Sequence, residues 1–251
     1  MSNIGIILSA GKQNRFNGNG YKALMPYNNE KTVLDINIET MLKFVDSIFL
    51  VLNEDNDNHP FEDVLKRYAY SVWPLLINSG LGCGDAVLTT LDLIEKSDDD
   101  NVFLIWADSI QDDPNLYEFC KYNYNDNFVF PAKLEENPYV KFIESEDKTY
   151  VEKVLFSKYD IIDSPGYHDY SLFYFNYIKI YDYLSLMQEK YYNSEEAKYN
   201  TKSGELIFLN LINEYSKTLN AKMIKLDDYN KSSNNSYNTI EEYKKVIYEK
   251  W

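Results

Sequence analysis

Residues 4–24 read IGIILSAGKQNRFNGNGYKAL. The branched apolar opening, Ile4, Ile6, Ile7 and Leu8, has the character of a short buried strand, and Ser9, Ala10 and Gly11 end it. After Gly11 come Gly18 and Gly20 with the cations Lys12, Arg15 and Lys22, and no acidic residue precedes Glu30. Yet the chain carries 25 basic and 40 acidic residues, a net charge of -15. A strand that runs into a glycine-rich turn presents free backbone N–H groups, and lysine or arginine beside them neutralises phosphate. An acidic protein that binds an anion must clear carboxylates from that one place and put cations there. The segment is not a Walker A loop, since no Gly-Lys-Ser/Thr follows at the required spacing, and it is not G-x-G-x-x-G. A glycine-rich loop is a weak signal by itself, and a solvated loop that merely lacks acids is the competing reading.

The bulk numbers narrow the rest. At 251 residues, 45% apolar and 26% charged, the chain suits one large soluble domain, taken here as residues 1–251. No apolar run approaches the ~18–20 residues of a transmembrane helix, and no signal-like region opens the chain, so a cytoplasmic protein without membrane insertion is expected. Cys83 and Cys120 lie far apart without metal-binding spacing and read as free thiols in a reducing compartment. The charge of -15 argues against a nucleic-acid partner. The chain is expected to be a monomer or homodimer.

Strand and helix alternate through about residue 125. After the first strand, residues 32–44 set apolar groups at helical spacing, and SIFLVLN (47–53) is a second buried strand. FEDVLKRYA (61–69) reads as a helix, SVWPLLIN (71–78) as an extended piece, and GDAVLTTLDLIEK (84–96) as a helix opening from a glycine-rich turn. NVFLIWAD (101–108) is the clearest central strand, and Asp113 and Pro114 stand where an N-cap and first helical residue belong. This pattern predicts an α/β fold with a mostly parallel, doubly wound sheet. In the second half FVFPA, YVKFIES, TYVEKVLF and YSLFYFN follow as short extended pieces, which predicts antiparallel additions. Helices are expected near 177–191 and 204–216, then the strand AKMIKL, a polar loop at 230–238 and a last helix from about Thr239.

The N-terminal segment resembles the signature of nucleotidyltransferases of the sugar-phosphate and phosphocholine type, a strand followed by L-A-A-G-x-G-x-R, a variable insert and P-K-x-L. ILSAGKQNRF and GYKAL match it at Gly11, Arg15 and Lys22, with Gln13 in place of the second glycine and Tyr21 in place of the proline. GLGCGDAV (80–87) resembles the family's nucleoside-side G-T-A-x-A-V element, FLIWADS the strand that ends in a metal-binding aspartate, and YVEKVLF the strand whose V-E-K lysine meets the acceptor phosphate. The ordered set implies a Rossmann-like, GT-A-like fold, with residues 1–125 as the nucleotide-binding half and 126–251 as the acceptor-binding half with the C-terminal helix. It implies that Ala10, Gly11, Lys12, Arg15 and Lys22 serve the triphosphate, and that Ser79, Gly80, Gly82 and Asp85 lie by the nucleoside. It further implies that Asp108 holds Mg²⁺ and that Lys153, beside Glu152, takes the acceptor phosphate. The family's second metal carboxylate precedes the last helix, where this chain has Ser236 and Asn238; Asp227 or Asp228 at the end of the preceding strand could substitute, as could a water and the substrate's own phosphates, with Asp228 taken as the ligand.

Each residue also has a structural reading. Asp108 could cap a turn, Lys22 and Arg15 could be plain surface cations, and Asp85 in a first helical turn suits the helix dipole without any function. Lys153 alternates onto the strand face of Val151 and Leu155, which suggests that it is directed inward. His59 and His168 read as loop residues with no nucleophile beside them. The resemblance implies attack by a phosphorylated acceptor on the α-phosphorus of a nucleoside triphosphate, with release of pyrophosphate. CTP is the first choice of donor. Phosphocholine, a sugar 1-phosphate or glutamine phosphate is the acceptor, in cell-surface or capsule polysaccharide precursor synthesis. The competing readings are a nucleotide-binding relative that has lost catalysis and a GT-A glycosyltransferase. The latter's D-x-D motif is not met by WADSIQDD.

Overall fold

The apolar run at the start becomes β1 (Asn3–Leu8), whose four central residues are buried. The structure, a computed structural model, describes residues 3–11, 20–78, 80–94, 100–124, 128–226, 236–237 and 239–250. Helix α1 (Val33–Met41) starts at a capping box in which Thr32 and Asp35 satisfy each other's backbone N–H groups. Arg67 grips Asp35 through two contacts of 2.7 and 2.8 Å. Then follow β2 (Ser47–Asn53), α2 (Glu62–Arg67), β3 (Val72–Ile77), α3 (Cys83–Leu93), β4 (Asn101–Trp106) and α4 (Pro114–Tyr122). Asp113 caps α4 with Pro114 at its first position, as the sequence predicts. The second half supplies β5 (Phe128–Glu135), β6 (Val140–Glu144), β7 (Val151–Phe156), β8 (Gly166–Asp169), β9 (Leu172–Asn176), α5 (Tyr177–Tyr191), the small hairpin β10 (Tyr192–Asn193) and β11 (Lys198–Tyr199), α6 (Asn210–Leu219), β12 (Ala221–Lys225) and α7 (Ile240–Lys250).

Among the described residues one sheet of ten strands runs through both halves in the order β3-β2-β1-β4-β9-β5-β8-β6-β7, with β12 paired to β5. β3, β2, β1 and β4 are parallel. β9 joins β4 antiparallel, and the second half continues antiparallel except where β12 lies parallel to β5. Successive residues of β4 point to opposite faces. Val102 and Leu104 enter one core with Val87, Leu91, Ile180, Leu184 and Phe208. Phe103 and Ile105 enter the other with Leu34, Ile38 and Tyr117. The sheet is thus covered by α3, α5 and α6 on one face and by α1 and α4 on the other, which is the doubly wound arrangement.

Three expectations shift. β8 is a strand the sequence reading passes over, so His168 lies on a strand and not in a loop. The helix expected from residue 204 begins only at Asn210. The preceding residues instead make backbone bonds to the turn before α3: Gly84 N–H donates to the Leu206 carbonyl at 2.8 Å, and Leu206 N–H to the Leu81 carbonyl at 2.8 Å. In β7 the alternation breaks opposite a register shift between Ile143 and Glu144, so Glu152 and Lys153 are both exposed while Val151 and Val154 are buried. The inward direction expected for Lys153 is therefore not adopted.

The glycines of GLGCGDAV are explained by this packing. Gly82 has φ 105 and ψ 168, a region essentially confined to glycine, and a Cβ there would lie 2.6 Å from the Leu206 carbonyl oxygen. At Gly84 a Cβ would lie 2.9 Å from the same atom. Gly82→Ala combines backbone strain with this collision, so a loss of about 2–4 kcal/mol is expected. Thermal unfolding should show it as a melting temperature lower by roughly 5–15 °C. An unchanged midpoint would mean that the 204–208 segment has slack the structure does not display.

Candidate active site

β1 and β4 are parallel neighbours, so their carboxyl ends open on the same edge of the sheet. The ladders continue a residue beyond them: Ser9 N–H donates to the Val51 carbonyl at 2.9 Å, and Ala107 N–H to the Leu8 carbonyl at 3.1 Å. Ala10 is buried and Gly11 exposed at this edge. Lys22 begins a single 3-10 turn, Lys22–Leu24. Its residue is only 7% exposed, and its Nζ donates to Asp108 Oδ2 at 2.9 Å. A buried ammonium needs an anion, and Asp108 supplies it from the loop after β4. Asp108 keeps 35% of its side chain exposed, so its carboxylate is open to a ligand while it holds the lysine.

The Asp108 loop is pinned by groups distant in sequence. Ser109 Oγ donates to the Trp106 carbonyl at 2.7 Å. Asn37, wholly buried on α1, donates from Nδ2 to the Ser109 carbonyl and accepts from Gln111 N–H, both at 2.8 Å. Gln111 Nε2 donates to the Tyr170 carbonyl at 2.5 Å. Tyr237 N–H donates to the Asp108 carbonyl at 3.1 Å, and Ser236 forms a bridge with Ser109. Two other acids of this region have structural work: Asp112 accepts from the Tyr27 hydroxyl at 2.9 Å, and Asp113 caps α4.

Beyond Asp108 lies a cleft of about 580 Å³. Its walls carry the carboxylates Glu135, Asp169, Glu205 and Glu242, the aromatics Trp106, Tyr139 and Tyr159, and the basic groups Lys158, His168 and Lys245. Lys133 pairs with Glu135 at 3.0 Å, and the Trp106 ring is braced by Phe173 and Phe208. Lys153 lines a second cavity of about 380 Å³ with Asn213, Lys202 and Glu214. Phe156, Tyr159 and Ile207 line both spaces and form the wall they share.

Lys12, Arg15, Ser79 and Asp228 lie outside the described residues. Of the other expected residues, Lys22 and Asp108 are brought together, with Ala10 and Gly11 at the same edge. Gly80 is exposed in the turn before α3, where its N–H faces the Asn78 side-chain oxygen. Asp85 is buried and accepts from the Tyr199 hydroxyl, a structural partnership; burial pushes its carboxyl up, and the tyrosine bond acts the other way. Among the described residues no cluster of three or more His, Cys, Asp or Glu is placed to hold a metal. Asp108 fits a site completed by substrate phosphates, because Mg²⁺ is commonly held by one or two carboxylates with phosphate oxygens and waters. The sequence reading passes over Asn37, Glu135, Asp169 and Tyr237. Asn37 alone carried a signal, an amide set among the apolar residues of an amphipathic helix.

The fold is that of the nucleotidyltransferases. The inositol-1-phosphate CTP transferase of T. maritima overlays it with TM-score 0.70 at 14% identity, over 98% of this chain and 95% of that one. The CTP:phosphocholine cytidylyltransferase of Streptococcus pneumoniae gives 0.70 at 14%, over 99% of each chain. A protein of Bacillus anthracis assigned as a glucose-1-phosphate thymidylyltransferase gives 0.71 at 14%, over 98% and 94%. No curated protein matches the chain in sequence. Residues 5–153 match the MobA-like NTP transferase domain, more than half of the chain, and the protein belongs to that family. It is thus a nucleotidyltransferase by family, of the kind that takes a nucleoside triphosphate. Among the described residues no helix is long and apolar enough to cross a membrane.

Asn37→Leu keeps the size of the side chain and strips both bonds from the Asp108 loop. With two buried backbone groups left unpaired, stability should fall by about 2–4 kcal/mol. Urea unfolding measures it; a loss under about 1 kcal/mol would show that the loop does not depend on this amide.

Proposed function

We propose that the protein transfers CMP from CTP to a small phosphorylated acceptor in a Mg²⁺-dependent reaction that releases pyrophosphate. The observation that carries this reading is the buried Lys22 paired with a partly open Asp108 at the carboxyl edge of the parallel sheet. CTP is favoured by the resemblance of the N-terminal half to the small cytidylyltransferases, and two of the fold neighbours above act with CTP. A role in cell-surface or capsule precursor synthesis goes with that choice.

In the reaction an oxygen of the acceptor phosphate attacks the α-phosphorus in line. The bond from the α-phosphorus to the bridging oxygen breaks, and pyrophosphate departs with that electron pair. The acceptor phosphate is ionised at neutral pH, so no strong general base is needed, and the protein's task is positioning and charge neutralisation. Mg²⁺, when held by Asp108 with substrate oxygens, supplies Lewis acidity at the phosphates. Lys22 brings a fixed positive charge to the triphosphate from a buried setting, where solvent screens it less. Arg15 and Lys12 are proposed to serve the same triphosphate from the glycine-rich segment.

The acceptor's other end is proposed to be cationic. Glu135, Asp169, Glu205 and Glu242 beside Trp106, Tyr139 and Tyr159 suit a quaternary or primary ammonium, held by carboxylates and aromatic faces together. Phosphocholine is therefore the first acceptor to test, ahead of a sugar 1-phosphate and glutamine phosphate. The attacking phosphate must lie near Asp108. Lys158 is on that cleft's wall, whereas Lys153 opens beyond the wall of Phe156, Tyr159 and Ile207. We assign the acceptor phosphate to Lys158.

The test is pyrophosphate release with each nucleoside triphosphate against each acceptor. Release with no pair would refute the catalytic reading in favour of a nucleotide-binding relative. Asp108→Asn should lower the Mg²⁺-dependent rate on the order of 100-fold, and full activity at limiting Mg²⁺ would remove Asp108 from the metal. Lys158→Ala should raise the acceptor KM about tenfold and spare that of CTP, with Lys153→Ala the weaker variant. The reverse order would return the acceptor phosphate to Lys153, as the family resemblance implies.

A further inference from the structure

Tyr237 lies between the last strand and the last helix, yet none of its surface is exposed. Its hydroxyl donates to the Lys22 carbonyl at 2.6 Å, across 215 residues of sequence. Its N–H donates to the Asp108 carbonyl at 3.1 Å. One residue thus bonds the main chain of both members of the 2.9 Å ion pair. Its ring belongs to a small apolar cluster with Val33, Ile110 and Val246, apart from the two large cores. Tyr243, on α7, packs edge-on against Tyr237 with ring centroids 5.3 Å apart, and its hydroxyl donates to the Pro26 carbonyl. The lysine turn is therefore held at both ends by tyrosine hydroxyls from the C-terminal segment. The strands beneath hold Asp108, whereas Lys22 sits on one turn of 3-10 helix with no strand of its own.

We propose that Tyr237 is a positioning residue for the reaction, tying the Lys22 turn to the Asp108 loop so that the distance between ammonium and carboxylate depends on a docked C-terminal segment. The tie acts through main-chain carbonyls, so it sets where Lys22 stands without touching substrate. The catalytic part of the proposal rests on the assignment of Lys22 and Asp108 above; the structural part does not.

The experiment uses the full chain and Tyr237→Phe, which keeps the ring and removes the hydroxyl. Hydrogen–deuterium exchange should quicken about fivefold or more in a peptide covering residues 21–27, where Met25 N–H shares the Lys22 carbonyl, and stay unchanged across β4. In the transferase assay kcat should fall about tenfold while the KM values for CTP and acceptor stay within about twofold, the pattern of a lost transition-state interaction. Tyr243→Phe is the second variant: it loosens the far end of the same turn and should have the smaller effect on kcat. Unchanged exchange at 21–27, or exchange raised equally over the sheet, overturns the tie and leaves Tyr237 as a core filler. A KM rise with kcat unchanged also overturns the positioning role. Localised exchange in a protein that shows no transferase activity would uphold the tie and remove its catalytic meaning.

Discussion

An ammonium group taken out of water must meet an anion, and the site is arranged around that requirement. Lys22 is buried and Asp108 is its counter-ion, but neither stands on a strand or a long helix. A pair of this kind is stable only if both loops are held in place, since a small separation leaves a buried charge uncompensated. The surrounding bonds have that result. Asn37 fixes the loop after Asp108, β1 extends its ladder to Ala107, and the C-terminal segment reaches both members. Asp108 stays partly open because its oxygens face the cleft as well as the lysine.

The two halves of the chain meet at the site in different ways. Beside Asp108, the cleft draws its walls from β5, β8, the residues after β7 and α7. The turn before α3 is shaped by the backbone of residues 205–208, which comes within reach of Gly82 and Gly84 only because both lack a Cβ. Glycine here serves packing between halves.

Much of this was legible in the sequence where local chemistry and tertiary demand agree. The run Ile4–Leu8, the Asp113-Pro114 cap and the alternation of strands with helices each predicted their element, because a buried parallel strand is apolar throughout and a helix start needs a cap. Asp108 at the end of the most apolar strand was likewise readable. What escaped was set by contacts far away in sequence. Residues 204–209 carry a helical pattern but are drawn out to bond the glycine turn. Lys153 followed a simple alternation that a register shift in the neighbouring strand interrupts. Asn37 and Tyr237 look ordinary in their own segments, and their meaning lies in carbonyls that no spacing rule connects to them.

The bond between Tyr237 and Lys22 spans 215 residues. Contacts so distant pay a large loop-closure entropy and form late, after the local and neighbouring strands have settled. During synthesis the parallel half can assemble its sheet as soon as β4 has emerged, with the lysine turn still unsecured. The ammonium–carboxylate pair then acquires its final geometry only when Tyr237, 131 residues beyond Trp106 at the end of β4, has been made. The charged centre is in this way completed by the segment that carries Tyr237, and a chain made only as far as α4 holds Lys22 and Asp108 without their tether.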